Sequence, residues 1–170
     1  MIRIGQSEDV HALKEGRDLY LGGVKIVSDL GLDGHSDADV LLHAISEALI
    51  GAMGLGDLGT HFSDKDEANR GLSSLIILSK IYEMLEDRGY HVVNIDSLIM
   101  IEKPRLAPYI NDMRHNIAKA LHIGIDQVNV KATCAEGLGY IGKRKGAKAQ
   151  AVVLISSDKN YCKMPQKSVK

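Results

Sequence analysis

The stretch that most constrains this chain runs from Gly34 to Ala52. It reads Gly-His-Ser-Asp-Ala-Asp-Val-Leu-Leu-His-Ala-Ile-Ser-Glu-Ala-Leu-Ile-Gly-Ala, a glycine-led polar loop that passes directly into an apolar helix. Ser36 followed three residues later by Asp39 has capping-box spacing, and Asp37 and Asp39 put negative charge where the helix dipole favours it. The helix is therefore expected to start near Asp37. Along it Val40, Leu41, Ala44, Ile45, Ala48, Leu49 and Ala52 form a broad buried stripe, while Asp39, His43 and Glu47 share another face. His43 then stands between two carboxylates. By itself this spacing fits a half-buried helical histidine satisfied by an acid better than it fits a metal ligand.

A second feature offers His43 partners, although Asp-x-His is a weak pattern without a third ligand. Ile2 to Val10 reads as a strand, and Asp9 and His11, two residues apart, fall on one face of it. A strand carrying Asp-x-His can aim a carboxylate and an imidazole at one point, and His43 could supply a third ligand from the helix. Zinc sites that do chemistry commonly use three N/O ligands and leave the fourth position to water or substrate.

The remaining elements follow from periodicity and breakers. Leu19 to Val27 reads as a hairpin about Gly22-Gly23. Gly54 to Gly59 spells G-x-G-x-x-G but follows a helix, whereas a dinucleotide fingerprint follows a strand. It reads instead as a helix exit whose backbone approaches a ligand, with Asp57 facing it. His61 to Asp66 is a polar loop without EF-hand spacing, which favours a solvated segment over a calcium site. Ser73 to Arg88 has helical spacing and is closed by Gly89. Val92 to Ile101 is a β-branched run expected to be a central strand buried on both faces. Pro108 opens a helix to Leu121, and Val128 to Thr133 and Ala147 to Ser156 are strands. Between those strands lie the glycine-punctuated loop Cys134 to Gly142 and the basic run Lys143-Arg144-Lys145.

These elements predict an α/β fold of α+β type, a single domain over residues 1–157 in which a mixed β-sheet carries helices on one face. The opposite face needs a cover, most simply another copy of the chain. Residues 158–170 are polar and expected to be a mobile tail. With 21 Lys and Arg against 22 Asp and Glu, no global field points to nucleic acid or an acidic membrane. The two cysteines, Cys134 and Cys162, form no disulfide framework and fit a reducing compartment. The absence of a signal peptide, transit peptide or long apolar run leads to the expectation of a cytoplasmic protein.

Taken in order, Asp9-Val10-His11, Gly34 to Val40 with His43, Gly51-Ala52, Gly56-Asp57-Leu58-Gly59, and Lys131-Ala132-Thr133 with Glu136 closely resemble the 2-C-methyl-D-erythritol 2,4-cyclodiphosphate synthases of the non-mevalonate isoprenoid pathway. The likeness runs from about Ile2 to Ile155, and its His-Ser-Asp-x-Asp-Val-x-x-His core is highly specific. The resemblance implies a homotrimer with active sites between neighbouring subunits. Each site would take the cytidine diphosphate substrate 4-diphosphocytidyl-2-C-methyl-D-erythritol 2-phosphate and release CMP. It implies that Asp9, His11 and His43 hold zinc and that Glu136 holds a second ion, magnesium or manganese. His35 and Cys134 would stand at the transition-state positions. Asp9, His11, His35, Ser36, Asp57, Leu58, Gly59, Phe62, Asp64 and Asp66 would contact the methylerythritol and diphosphate side. Ile101, Arg105, Ala107, Ala132, Thr133, Glu136, Tyr140 and Lys143 would contact the cytidine and phosphate side. Association with other pathway enzymes is a further implication.

Five positions depart from the family pattern. Gly5-Gln6-Ser7 stands for Gly-x-Gly, Glu47 for an aspartate that could orient His43, Ser63 for a proline, Lys143 for an arginine and Cys134 for a threonine. A thiol is a weaker donor than a hydroxyl, and lysine gives up bidentate geometry. A non-catalytic, cytidine-nucleotide-binding trimeric relative is thus the alternative. A purely structural zinc protein is disfavoured, because such a site is normally closed by four protein ligands. A Ser36/His35/Asp37 hydrolase is disfavoured because adjacent residues do not readily form a nucleophile-base-orienter relay.

Overall fold

A computed structural model describes residues 1–34, 36–62 and 72–158. A five-stranded sheet is formed by β1 (Ile2–Lys14), β4 (Gly31–Leu32), β5 (His91–Met100), β6 (Val128–Thr133) and β7 (Gly146–Ser156), ordered β4-β1-β7-β5-β6. A separate hairpin consists of β2 (Leu19–Leu21) and β3 (Val24–Ile26). Its turn is the predicted Gly22-Gly23 pair, at φ 59° and 71°, which L-residues with side chains adopt at a cost. The pairs β1/β7 and β7/β5 are antiparallel, and β5/β6 is parallel. The parallel pair is joined through α4 (Ile110–Ala120), the crossover that such a pair requires.

The helices α1 (Val40–Met53) and α4 cover one sheet face, and α3 (Ser74–Asp87) packs against both of them. Short helices α2 (Leu58–His61) and α5 (Gly139–Gly142) sit in the connecting loops. Burial on α1 is wider than the predicted stripe, because Leu42, Ser46, Ile50 and Met53 are also enclosed. A helix apolar nearly all round is a core helix. Its approach to β1 is so close that a Cβ on Gly5 would lie 1.9 Å from the Ala48 carbonyl oxygen, so only glycine fits there.

Two expectations are corrected. The α1 helix starts at Val40 and not near Asp37, because Asp39 is its N-cap, with the carboxylate accepting from Leu42 N–H. Ser36 and Asp37 instead close local turns onto Ala38 N–H and Asp39 N–H. The β5 strand alternates buried and less buried positions and is not enclosed on both faces. Ile95, Ser97 and Ile99 face the helices, whereas Asn94 and Asp96 lie on the open side. That open face carries Ile4 at 69% and Val10 at 55% exposure, beside the pairs Glu8/Lys148 and Asp96/Lys131. The helix-covered sheet agrees with the predicted architecture. Of the tail, residues 159–170 lie outside the described residues.

Candidate metal centre

Alternation along β1 sends Asp9 and His11 to the helix side of the sheet, where the first full turn of α1 presents His43. Three donor atoms converge there. Asp9 Oδ2 lies 3.1 Å from His11 Nε2 and 3.0 Å from His43 Nδ1, and the two imidazole nitrogens are 3.3 Å apart. Four ligands at about 2.0–2.1 Å around a tetrahedral ion stand roughly 3.3–3.4 Å from one another, so three of these positions match the triangle. Among the described residues this is the one cluster with such spacing.

The surroundings hold each ligand in place. Asp9 Oδ1 accepts from Val10 N–H at 2.8 Å, which leaves Oδ2 to the cluster. His11 Nδ1 is 2.9 Å from the Asp33 carbonyl, which can only accept, so the proton sits on Nδ1 and the Nε2 lone pair faces inward. His43 Nε2 lies 2.9 Å from Ser74 Oγ and 3.3 Å from Ser36 Oγ. Burial acts to raise the Asp9 carboxyl, but the hydrogen bonds that the His11 and His43 rings give it when protonated more than reverse this and hold it well below the usual carboxylate range. The Asp9 hydrogen bond raises the His11 imidazole against the opposing effect of burial. This is a site that attracts positive charge.

Sequence reasoning misplaced two acids here. Asp39 turns away from His43 and is wholly buried against the hairpin, accepting from Gly22 N–H and Gly23 N–H. Glu47 does not orient His43, because Ser74 takes the available ring nitrogen. Burial, followed by the Asp9 and Asp57 charges, raises the Glu47 carboxyl. Ser74 itself was missed. It opens a helix far along the chain, and no local spacing connects it to His43.

A second feature is a cavity of about 550 Å³ where β5 and β6 end. Ile101, Arg105, Ala107, Ala132, Thr133 and Cys134, which the resemblance assigned to the cytidine and phosphate positions, line it together with Glu102, Pro104, Leu106 and Ile110. Glu102 accepts from Ala135 N–H at 3.0 Å and Gly137 N–H at 3.3 Å, gripping the loop that carries Glu136. Glu136 has φ 50°, and its Oε1 accepts a hydrogen bond from the Cys134 thiol, with Sγ 2.9 Å away. Val10, Lys148, Met100 and Thr133 pair in register across β1, β7, β5 and β6. At about 4.8 Å per strand the ligand strand and the cavity strand are roughly 14 Å apart within one chain. Glu136 is not part of the triad's cluster.

Other predicted residues fall around these two features. Asp57 caps α2 through Thr60 N–H and Thr60 Oγ1, with Leu58 and Gly59 in that helix and Phe62 at its end. Tyr140 lies exposed on α5 with its ring against Gly146, and Lys143 ends that helix. His35, Asp64 and Asp66 lie outside the described residues.

The YgbB family profile matches residues 2–156. A 2-C-methyl-D-erythritol 2,4-cyclodiphosphate synthase of Chloroherpeton thalassium is 52% identical over 91% of this chain and 98% of its own length. The synthase of Fusobacterium nucleatum is 50% identical over 94% of this chain and 99% of its own. A solved synthase in a CDP-bound form superposes with a TM-score of 0.84 at 34% identity, covering 91% of this chain and all of that one. The bifunctional IspDF of Campylobacter jejuni gives a TM-score of 0.87 at 37% identity, with 91% of this chain matching 42% of that protein. The fold, the donor triangle and these likenesses agree: the chain belongs to the YgbB family.

Proposed function

We propose that the chain is a metal-dependent cyclodiphosphate synthase of isoprenoid precursor biosynthesis. It converts 4-diphosphocytidyl-2-C-methyl-D-erythritol 2-phosphate into 2-C-methyl-D-erythritol 2,4-cyclodiphosphate and CMP. An oxygen of the 2-phosphate bonds to the β-phosphorus, the bond from that phosphorus to the bridging oxygen breaks, and CMP departs with the bridging oxygen. The observation that carries this reading is the convergence of Asp9, His11 and His43 on one point. Those three residues would hold zinc, and Glu136 would hold magnesium or manganese. The bound ions supply charge neutralisation where two phosphates meet and polarise their oxygens.

The chain's own groups do the remaining work. Arg105 and the backbone of Ala132 to Cys134 line a cavity suited to the cytidine and its phosphates. Glu102 fixes the turn that presents Glu136 and Cys134, so these two groups stay oriented without reorganisation. Lys143 and Tyr140 stand nearby along the chain, and His35 with Ser36 and the segment from Asp57 to Asp66 would hold the methylerythritol end.

In this reading a homotrimer brings one subunit's cavity to its neighbour's triad. Two observations support it: the separation of the two features within one chain, and the exposed apolar residues Ile4, Val10 and Val152 on the open sheet face. Among the described residues no helix is long and apolar enough to cross a membrane. The occurrence of a similar unit within a bifunctional protein supports association with other pathway enzymes.

The test is incubation with the diphosphocytidyl 2-phosphate substrate, zinc and magnesium. A cyclic diphosphate signal by phosphorus NMR with stoichiometric CMP is the expected result. Binding of CDP without CMP formation would instead establish a nucleotide-binding relative.

A further inference from the structure

We propose that Asp37 and Ser74 are positioning residues that set the tautomer of His43 and so turn the triad into a cation trap, an inference that rests on reading Asp9, His11 and His43 as a metal centre. Ser74 is the first residue of α3 and is buried, with 1% exposure. Its backbone N–H donates to Asp37 Oδ2 at 2.9 Å, its hydroxyl donates to Asp37 Oδ1, and its Oγ lies 2.9 Å from His43 Nε2.

The assignment follows from counting protons. A serine hydroxyl has one proton to give, and an ionised carboxylate has none. If Ser74 gave that proton to His43 Nε2, Oγ and Asp37 Oδ1 would face each other as two acceptors in a buried site, which is costly. The proton therefore goes to Asp37, and Ser74 Oγ accepts from His43 Nε2–H. Ser36 Oγ, at 3.3 Å, is the longer and weaker contact to the same nitrogen. A neutral imidazole carries one N–H, so Nδ1 is bare, and Nδ1 is the atom that faces Asp9 and His11.

On the other side of the cluster the Asp33 carbonyl holds the His11 proton on Nδ1 in the same way. With both rings neutral, the imidazoles then present lone pairs to the Asp9 oxygen at 3.1 and 3.0 Å and to each other at 3.3 Å. Three lone pairs facing inward repel one another until a cation enters. With His43 in the other tautomer, its Nδ1–H would satisfy Asp9 and the cluster would close on itself. Asp37, two bonds removed from the ligand, decides between the two.

Three variants and one spectrum test this. Asp37→Asn keeps the shape but reverses the proton order. The amide oxygen must face the Ser74 backbone N–H, so the amide N–H donates to Ser74 Oγ, and the hydroxyl proton turns to His43 Nε2. The competing donor for that oxygen, Asp39 N–H, makes only a 3.3 Å contact. Long-range proton-nitrogen NMR of the chelator-treated protein, above the imidazole titration range, should show His43 protonated on Nε2 in the unmodified chain and on Nδ1 in Asp37→Asn.

Competition with a chromogenic chelator should show zinc held ~10–100-fold more weakly by Ser74→Ala and by Asp37→Asn, while Ser74→Thr, which keeps the hydroxyl, stays near the unmodified affinity. Zinc uptake with His43 protonated on Nδ1 in the unmodified chain, or undiminished affinity in both Ser74→Ala and Asp37→Asn, overturns the relay and leaves the metal centre standing. No zinc uptake by a chain whose His43 carries its proton on Nε2 supports the relay and overturns the metal-centre reading.

Discussion

Replacing Asp39 by alanine should be among the most damaging single changes in this protein, although the Asp39 carboxylate bonds to neither the triad's side chains nor the cavity. The carboxylate is wholly buried and makes three charge-assisted bonds, from Leu42 N–H at 3.1 Å, Gly22 N–H at 3.0 Å and Gly23 N–H at 2.7 Å. One bond caps α1, and the other two tie the β2–β3 hairpin to the start of that helix. Burial pushes the Asp39 carboxyl pKa up, and the three backbone donors oppose that push. Loss of the cap costs ~1 kcal/mol. Leaving the two hairpin N–H groups without an acceptor adds ~1–3 kcal/mol each, for a total of roughly 3–5 kcal/mol after some relaxation. At 2–4 °C per kcal/mol for a chain of this size, the midpoint should fall by about 6–20 °C. The assay is thermal unfolding by circular dichroism at fixed protein concentration, since dissociation of an oligomer would move the midpoint. Asp39→Asn keeps the volume and one acceptor oxygen, so it should cost about 2 kcal/mol and serves as the milder control. A midpoint for Asp39→Ala within about 3 °C of the unmodified chain would refute the clamp.

Gly5→Ala puts a Cβ 1.9 Å from the Ala48 carbonyl oxygen, so α1 must shift off β1. Denaturant unfolding should show a loss of at least ~1–3 kcal/mol, with zinc affinity falling because His43 moves with the helix. Mixed subunits test the shared site: His43→Ala and Glu136→Ala should each be inactive, but co-refolded together at equal amounts they should regain up to about one quarter of normal CMP release, because random assembly pairs an intact triad with an intact neighbouring loop that often. No recovery despite mixed assembly would place both groups in one chain's site. Burial, then the Glu86 hydrogen bond, raises the Tyr82 phenol to about 12. The neutral form is the one favoured by folding, so its contribution is intact below pH ~10 and disappears as pH rises through the folded value. Ultraviolet titration should show one late tyrosine that Tyr82→Phe removes.

The strands and helices were legible because their signals are local. The hairpin announced itself through Gly22-Gly23, α3 through its spacing and Gly89, and β6 through a β-branched run. The start of α1 was not legible because a capping box and an Asp N-cap look alike until the partner is known, and the partner of Asp39 is a hairpin 16 to 17 residues upstream. The single-faced burial of β5 escaped for a related reason, since hydrophobic content does not say how many layers a sheet has. Asp9 and His11 share a face by strand periodicity alone, but His43 joined them through the resemblance, and Ser74 could only be found in three dimensions. The cavity residues likewise came from the family's motifs, because a loop between Ile101 and Ala107 has no period to read.

The most direct measurement is bound metal and turnover on the same sample. The protein is stripped with a chelator, assayed for CMP release, restored with zinc in the presence of magnesium, and assayed again, with His43→Ala carried in parallel. We expect one zinc per chain in the unmodified protein, CMP release lost on stripping and regained on restoration, and neither zinc nor turnover in His43→Ala. Full CMP release from the stripped protein, or unchanged zinc in His43→Ala, would contradict the account.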